Sequence, residues 1–167
     1  MAPAGSFESL AAALQGGADS VYFGIGKLNM RSRATANFAE EDLPEIVARC
    51  HETGAKAYLT LNIIVYDEEL ETVRNLCAAA KAAGVDAVIA SDLAVITHAH
   101  SIGLEVHMSV QANVCNMASV RFYAQYADVV VLARELTLGQ IRRIIDGIRD
   151  EGIRGPSGDL IRVEIFA

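Results

Sequence analysis

The alternation of helical patterns with short apolar strand patterns constrains the fold more than any other feature of the chain. Strands linked through helices lie parallel in one sheet, with the helices as crossovers. Two helices have good starting signals, since Asn37 with Glu40 and Thr137 with Gln140 have capping-box spacing. The predicted strands fall within residues 16–24, 54–63, 84–91, 103–110, 126–133 and 162–167. The predicted helices lie near residues 7–15, 41–53, 68–82, 92–101, 117–125 and 138–149.

The faces of the strands distinguish a doubly wound open sheet from a barrel. Residues 56–63, 105–111 and 162–167 alternate between polar and apolar side chains, whereas 87–91 and 128–133 are apolar on both faces. Helices cover both faces of an interior strand in a doubly wound sheet, so a polar face is out of place there. A barrel lumen is filled in layers drawn from alternate strands. The pattern therefore favours an α/β fold of the TIM type, a (β/α) barrel.

The barrel predicted from this chain is incomplete. The opening "MAPAG" is interpreted as the end of strand 1, which makes "RVEIFA" at 162–167 the seventh strand. A barrel of this kind typically needs about 250 residues, so helix 7 and strand 8 are missing. We therefore expect residues 1–167 to form a single truncated barrel domain, the N-terminal part of a longer protein. Its open edges, at strands 1 and 7, are predicted to promote a homodimer.

Composition excludes several classes of function. A net charge of −7 provides no global basic surface for nucleic acid. The apolar runs are too short to cross a membrane and the N-terminus lacks a secretory signal, so a cytoplasmic location is expected. Cys50, Cys77 and Cys115 form no CxxC pair and no cluster with histidine, which predicts neither a disulfide framework nor a metal site. Cys50 and Cys77 are predicted to be core residues.

The candidate site lies where barrel active sites form, at the carboxyl ends of the strands. Its side chains are rich in amides and arginines, and arginine binds carboxylate or phosphate in a forked geometry. The mouth therefore suits a polar, planar and partly anionic ligand. The candidate residues are Asn29, Arg31, Arg33, Asn62, Ser91, Asp92, Ser109, Gln111, Asn113, Arg134 and Glu135.

Several of these residues have an ordinary structural alternative. Ser91 or Asp92 can cap the helix that follows, Arg134 with Glu135 can be a surface ion pair, and Asn113 can be a turn residue. His107 is the histidine that faces the predicted lumen. The chain has no HExxH motif, P-loop or nucleophile elbow, and "GIG" at 24–26 is followed by an asparagine where a dinucleotide fingerprint needs its third glycine.

Longer stretches of the chain resemble peptidase family U-32, the collagenase-like proteases. The similarity covers essentially the whole chain and is carried by "MAPAGSFESLAAALQGGADSVYFGIGKLNMRSRA", "YLTLNIIVYDEEL", "AAGVDAVIASDLAVI", "GLEVHMSVQANVCN" and "VVLAREL". The resemblance implies a barrel and either proteolysis or oxygen-independent hydroxylation. Members of the second kind modify a pyrimidine of tRNA or ribosomal RNA, or a ubiquinone precursor, with a prephenate-derived donor. They carry an iron–sulfur cluster on four cysteines, in a segment expected just after "VEIFA".

The resemblance and the candidate mouth together rank three hypotheses. The first is prephenate-dependent, iron–sulfur-assisted hydroxylation of an RNA pyrimidine by the full-length protein, with RNA or a small organic acid as partner. In it Asp92 or Glu135 is the general acid or base, the other mouth residues bind substrate, and a 4Fe–4S cluster lies outside this chain. The alternatives are a collagenase-like protease and a non-catalytic binding module. The chain alone is expected to be inactive and to hold no cofactor or metal.

Overall fold

Seven parallel strands form one sheet in which every strand pairs with its neighbour in sequence. The computed structural model describes residues 1–26, 28–29 and 38–166. The strand order never reverses, whereas a doubly wound sheet has a switch point at which the order changes direction. Side chains near both edge strands, Met1 beside β1 and Phe166 beyond β7, line the same cavity, so the sheet curls into an open half-barrel. The strands are β1 (Ala2–Ala4), β2 (Ser20–Phe23), β3 (Lys56–Leu61), β4 (Ala87–Ala90), β5 (Glu105–Met108), β6 (Val129–Val131) and β7 (Arg162–Glu164).

In the described part of the chain, six helices link the strands and pack against the outer face of the sheet. Leu59 and Leu61 of β3 and Val106 and Met108 of β5 are almost completely buried, and they form the core between the sheet and the helices. The prediction of an incomplete TIM-type barrel is therefore confirmed. The helices are α1 (Phe7–Gln15), α2 (Leu43–Glu52), α3 (Leu70–Ala83), α4 (Leu93–Ser101), α5 (Met117–Tyr123) and α6 (Leu138–Glu151), and short 3₁₀ turns cover Glu40–Asp42, Asp67–Glu69 and Val110–Ala112.

The register confirms that the inward faces alternate between polar and apolar strands. Thr60 of β3 pairs with Ile89 of β4, Ile89 with His107 of β5, and His107 with Val129 of β6. Val129 in turn pairs with Arg162 of β7. Because side chains alternate across a strand, these in-register residues share the inner face. From β3 to β7, the polar groups of the lumen therefore come from β3, β5 and β7, and Tyr22 of β2, in register with Tyr58, adds another.

One of the two capping boxes predicted from the sequence is present at the start of its helix. Thr137 and Gln140 form the predicted capping box at the start of α6, where the Thr137 backbone N–H donates to the Gln140 side chain at 2.8 Å. The predicted pairing of Asn37 with Glu40 cannot be compared in the same way, because Asn37 lies outside the described residues. The start that is described there uses Asp42, whose carboxylate accepts from the Ala39 N–H at 2.8 Å.

The carboxyl end of β5 differs from the prediction. The sequence predicts an extended strand to residue 111 with Val110 against the helices, but β5 ends at Met108 and Val110–Ala112 form a 3₁₀ turn. Val110 lines the lumen cavity instead of the outer core. The Ser109 hydroxyl accepts from the Gln111 N–H at 3.4 Å, a local side-chain bond that competes with continued strand pairing.

Two further sequence predictions concern the buried cysteines and membrane-spanning helices. Cys50 in α2 and Cys77 in α3 are fully buried, which confirms them as core residues. Within the described part of the chain, no helix combines the length and apolar character that a membrane span requires.

Candidate functional site

A cavity of about 730 Å³ occupies the lumen at the carboxyl ends of the strands. Four of the predicted site residues line it: Asn62, Ser109, Gln111 and Arg134. The sequence therefore predicts the correct end of the barrel and part of its wall. The remaining lining residues are Met1, Tyr22, Thr60, Ile89, Val110, Val131, Glu164, Ile165 and Phe166.

Hydroxyl and amide groups are linked along one wall of the cavity. The Asn62 amide donates to the Ser109 hydroxyl at 3.4 Å, which connects the end of β3 with the end of β5 across β4. The buried Thr60 hydroxyl donates to the Phe23 carbonyl at 2.9 Å, so it also fastens β3 to β2. These bonds hold the polar groups on rigid strand ends, which is where a site is positioned most accurately.

Arg134 also lines the cavity, where it is exposed and stacked on an aromatic ring. Its guanidinium carbon is 4.2 Å from the centroid of the Phe166 ring. A stacked guanidinium keeps its in-plane N–H groups available for a forked contact with an anion. The alternative of an ion pair with Glu135 is not adopted, since Arg134 is placed against Phe166 and Glu135 is exposed beyond it.

Asp92 serves as the cap of α4. One carboxylate oxygen accepts from the Ala94 N–H at 2.8 Å and the other accepts from the Val65 N–H at 3.1 Å. The first bond closes the helix N-terminus and the second ties the β3–α3 loop to it. The structural alternative for Asp92 is therefore realised, and Asp92 and its half-buried neighbour Ser91 both lie outside the lining of the cavity.

Asn29 is fully buried beside the end of β2 and does not line the cavity. Its amide donates to the carbonyls of Ile25 and Gly26 at 3.4 and 3.3 Å. Gly24 permits this packing, because a Cβ at position 24 would lie 2.3 Å from the Asn29 side chain. Asn29 therefore holds the loop after β2.

The other predicted site residues fall elsewhere. Asn113 is exposed and follows the 3₁₀ turn in the left-handed region, with φ of 52°. It takes the turn role that the sequence left open. Arg31 and Arg33 lie outside the described residues.

Below the cavity, charged and polar side chains form a second layer of the lumen. One Glu105 oxygen contacts the His107 Nε2 at 3.0 Å and accepts from the Arg162 guanidinium at 2.6 Å. The Tyr58 ring meets the His107 ring edge-on, with 4.7 Å between centroids. The hydrogen bond from His107, aided by Arg162, lowers the pKa of Glu105 against the opposing effect of burial, so Glu105 is ionised at neutral pH. Burial, with a smaller effect of Glu105, raises the pKa of Tyr58.

A family model described as "Peptidase family U32" matches residues 5–158. The chain belongs to peptidase family U32. The U32 chain is also similar in fold to the solved structure of the U32 peptidase Mk0906, with a TM-score of 0.71 and 15% identity over 87% of this chain and 63% of that one.

The relatives of this U32 chain have names of two kinds. It is 51% identical, over its whole length, to a collagenase of Porphyromonas gingivalis and covers 40% of that protein. It is 34% identical to tRNA hydroxylation protein P of Escherichia coli over 90% of the chain, which covers 34% of that relative. It is 36% identical to the 23S rRNA 5-hydroxycytidine C2501 synthase of E. coli over 77% of the chain, which covers 19% of that relative. The chain thus spans at most 40% of these relatives.

The described residues of the U32 chain do not fit an iron–sulfur cluster. No three histidine, cysteine, aspartate or glutamate side chains among them are grouped as metal ligands. Burial raises the pKa of Cys50 and of Cys77 to about 11, so both thiols are protonated at neutral pH, whereas a metal ligand must be a thiolate. Cys115 is exposed and follows the 3₁₀ turn after β5.

Sequence reasoning missed several lining residues, of which Tyr22, Thr60 and Glu164 are polar. Each lies on the inner face of its strand, an even number of positions from another inward residue. Counting back by two from Asn62 reaches Thr60, so the strand period was the signal that could have found them.

Charge is unevenly distributed around the U32 half-barrel. Residues 38–71 contain nine acidic and two basic residues, and the rest of the chain contains twelve of each. The net charge of −7 is therefore that of the segment from the β2–α2 loop to the start of α3. Many of these acids stand in the first turns of helices, where carboxylates are favourable.

Proposed function

We propose that the full-length protein containing this chain hydroxylates a pyrimidine of tRNA or ribosomal RNA, and that the half-barrel described here binds the polar ligand. The observation that supports this most is the composition of the lumen cavity, with amides, hydroxyls and a stacked arginine directed at one space. The similarity to relatives named for tRNA hydroxylation and for 5-hydroxycytidine synthesis supports the same chemistry.

The lining residues suit a nucleobase in several ways. Asn62 and Gln111 each carry a hydrogen-bond donor and an acceptor, as the edge of a pyrimidine does. Tyr22 and Phe166 offer aromatic faces, and unpaired bases stack on such rings in RNA-binding proteins. Arg134 is placed to hold a phosphate or a carboxylate.

The proposal includes a prephenate-derived oxygen donor and a 4Fe–4S cluster, both taken from the family resemblance. A cluster would supply the redox chemistry, and its ligands are proposed to lie outside this chain because the cysteines here do not fit them. Asp92 and Glu135 stay predictions as acid or base. Glu164 is a better placed candidate, since it is the carboxylate among the described residues that lines the cavity.

Nucleoside mass spectrometry tests the proposal. RNA from a strain lacking the full-length gene should have lost one hydroxylated pyrimidine, and the intact gene should restore it. Gln111→Ala should restore it poorly, whereas Gln125→Ala, an exposed glutamine next to α5, should restore it fully. An unchanged nucleoside profile in the deletion strain would refute the proposal.

Proteolysis is the second candidate, favoured by the 51% identity with a protein named collagenase. A protease must activate a nucleophile or a metal-bound water. Two buried hydroxyl residues line the cavity wall, Ser109 and Thr60. Ser109 accepts hydrogen bonds from Asn62 and from a backbone N–H, and Thr60 donates to the Phe23 carbonyl, so neither hydroxyl is bonded to a base. This arrangement gives proteolysis less support than ligand binding.

Gelatin cleavage by anaerobically purified full-length protein separates the two candidates. Cleavage that is abolished by a single substitution such as Asp92→Asn, or by Glu164→Gln in the cavity, would establish a protease. Since asparagine has one acceptor oxygen where Asp92 uses two, Asp92→Asn loses the bond to Ala94 or to Val65, and its folding should be checked by circular dichroism.

A further inference from the structure

His107 is the one described residue with a buried side-chain nitrogen that lacks a hydrogen-bond partner. The side chain is 1% exposed, and Nδ1 has no partner among the residues that the structure describes. More than nine in ten buried polar groups in proteins are paired. An unpaired nitrogen in the lumen therefore needs an explanation.

The surroundings of His107 account for the missing partner. Its two in-register neighbours on the inner face are Ile89 of β4 and Val129 of β6, and neither has a polar side chain. The charged groups that face it are Glu105 on its own strand and Arg162 and Glu164 on β7, while Tyr58 faces it from β3. Of these, Glu105 takes the opposite ring nitrogen, Nε2.

The contact with Glu105 determines the tautomer of the neutral ring. Glu105 is ionised, and an ionised carboxylate only accepts hydrogen bonds. The Nε2 atom must then carry the hydrogen and donate it, which leaves Nδ1 of the neutral imidazole as a bare lone pair. In the neutral ring, Nδ1 is therefore a hydrogen-bond acceptor without a donor.

His107 also lies directly beneath the cavity. Ile89 beside it lines the cavity, and so does Ser109, two residues farther along the chain and just past the end of β5. Two residues of extended chain correspond to about 6.6 Å. Since Nδ1 is shielded from solvent, a donor reaches it only when the side chains above it adjust to a bound molecule. The unpaired acceptor is a cost in the free protein that a suitable ligand removes.

We propose that the His107 ring is neutral in the folded protein, and that its Nδ1 is a specificity-determining acceptor of the lumen site, engaged by an O–H or N–H group at the deepest point of the bound ligand. The proposal deepens the function proposed above and rests on it only in that the cavity takes a small polar ligand or base. Sites that hold a buried hydrogen-bonding group reject analogues that cannot pair with it.

Two substitutions of His107 separate the roles of its nitrogens. In His107→Asn, the Oδ1 acceptor is bonded to Cγ and so takes the position of Nδ1. This variant loses the contact with Glu105. Gln reaches the position of Nε2 and can still donate to Glu105, but it leaves no acceptor at the position of Nδ1. The comparison uses the full-length protein in the deletion strain, with the rate at which the hydroxylated pyrimidine reappears after induction as the readout.

The expected result is that His107→Gln supports a rate about fivefold to tenfold below that of His107→Asn, the effect of one hydrogen bond. Thermal unfolding should rank the variants the other way, because Gln keeps the link to Glu105. Equal rates, or a higher rate with Gln, would overturn the proposal and leave His107 as a structural partner of Glu105.

Nitrogen-15 NMR of the imidazole provides a measurement that does not depend on the RNA. In the full-length protein at pH 7, Nδ1 of His107 should resonate as an unprotonated nitrogen and Nε2 as a protonated one. A protonated Nδ1 would overturn the proposal. If the intact gene restores no modified nucleoside, the proposed function fails, and the NMR result alone then decides the acceptor role of His107.

Discussion

Substitution of Gly24 by alanine tests how tightly the loop after β2 is held. A Cβ at this position would lie 2.3, 2.4 and 2.6 Å from Cγ, Nδ2 and Oδ1 of Asn29. Carbon and polar atoms in contact normally stay more than 3 Å apart, so Asn29 has to move. Asn29 is fully buried and its amide donates to the carbonyls of Ile25 and Gly26.

Three contributions set the change in the free energy of unfolding caused by Gly24→Ala: two destabilise the folded protein and one stabilises it. Overpacking a buried site costs about 1–3 kcal/mol. Loss of the Asn29 hydrogen bonds adds about 1 kcal/mol, since they are long, at 3.3 and 3.4 Å. Alanine restricts the unfolded chain and returns about 0.4–1 kcal/mol. Gly24→Ala should therefore lower the free energy of unfolding by about 1–3.5 kcal/mol.

Equilibrium urea unfolding followed by circular dichroism measures this change. The matched control is Gly139→Ala in the first turn of α6, where a Cβ would meet nothing within 4 Å, and this substitution should stabilise by about 0.5–1 kcal/mol. In an Asn29→Ala background the clash is gone, and Gly24→Ala should cost almost nothing. A cost of 2 kcal/mol that persists in that background would refute the steric explanation.

Three further predictions concern the cap, the acid stability and the edges of the sheet. Thr137→Ala should lower the stability by about 1 kcal/mol in urea unfolding while Thr137→Ser has little effect, because the hydroxyl caps α6. Burial would raise the pKa of Asp86, but hydrogen bonds from the Ala57 N–H, Lys56 and His51 outweigh it and lower the pKa. Its stabilising effect is therefore complete above the unfolded pKa of about 4 and is lost as the pH falls through the lower folded value, so the stability deficit of Asp86→Asn at pH 7 should vanish in acid. The open edges β1 and β7 should make the chain dimerise, and light scattering that detects only monomer at high concentration would contradict this.

The fold could be predicted because side chains alternate between the two faces of a strand wherever the strand is regular. A polar inner face on β3, β5 and β7 can be read directly from residues such as Thr60 and His107, and the register confirms it. The end of β5 was not predictable from periodicity, since Ser109 turns the backbone with a local hydrogen bond that interrupts the alternation.

The location of the candidate site could be predicted from the sequence better than the residues that line it. Strand ends converge in any barrel, which is why Asn62 and Gln111 line the cavity as predicted. Whether a polar side chain at a strand end faces the lumen or bonds to nearby backbone depends on distances that spacing does not reveal. Asp92 therefore proved to be a cap, and Asn29 proved to hold a loop.

The uneven charge around the half-barrel has a consequence for how a polyanion would approach it. The 3₁₀ turns at Glu40–Asp42 and Asp67–Glu69 are acidic and precede α2 and α3, on the same end of the barrel as the mouth. Arg134 and α6 follow β6, and residues 134–151 there contain four basic and four acidic residues. The mouth is thus acidic on its α2–α3 side and close to neutral in net charge on its β6–α6 side. An RNA strand would be repelled from the α2–α3 side and turned toward the β6–α6 side before any base enters the lumen, and this orientation would weaken as salt is added.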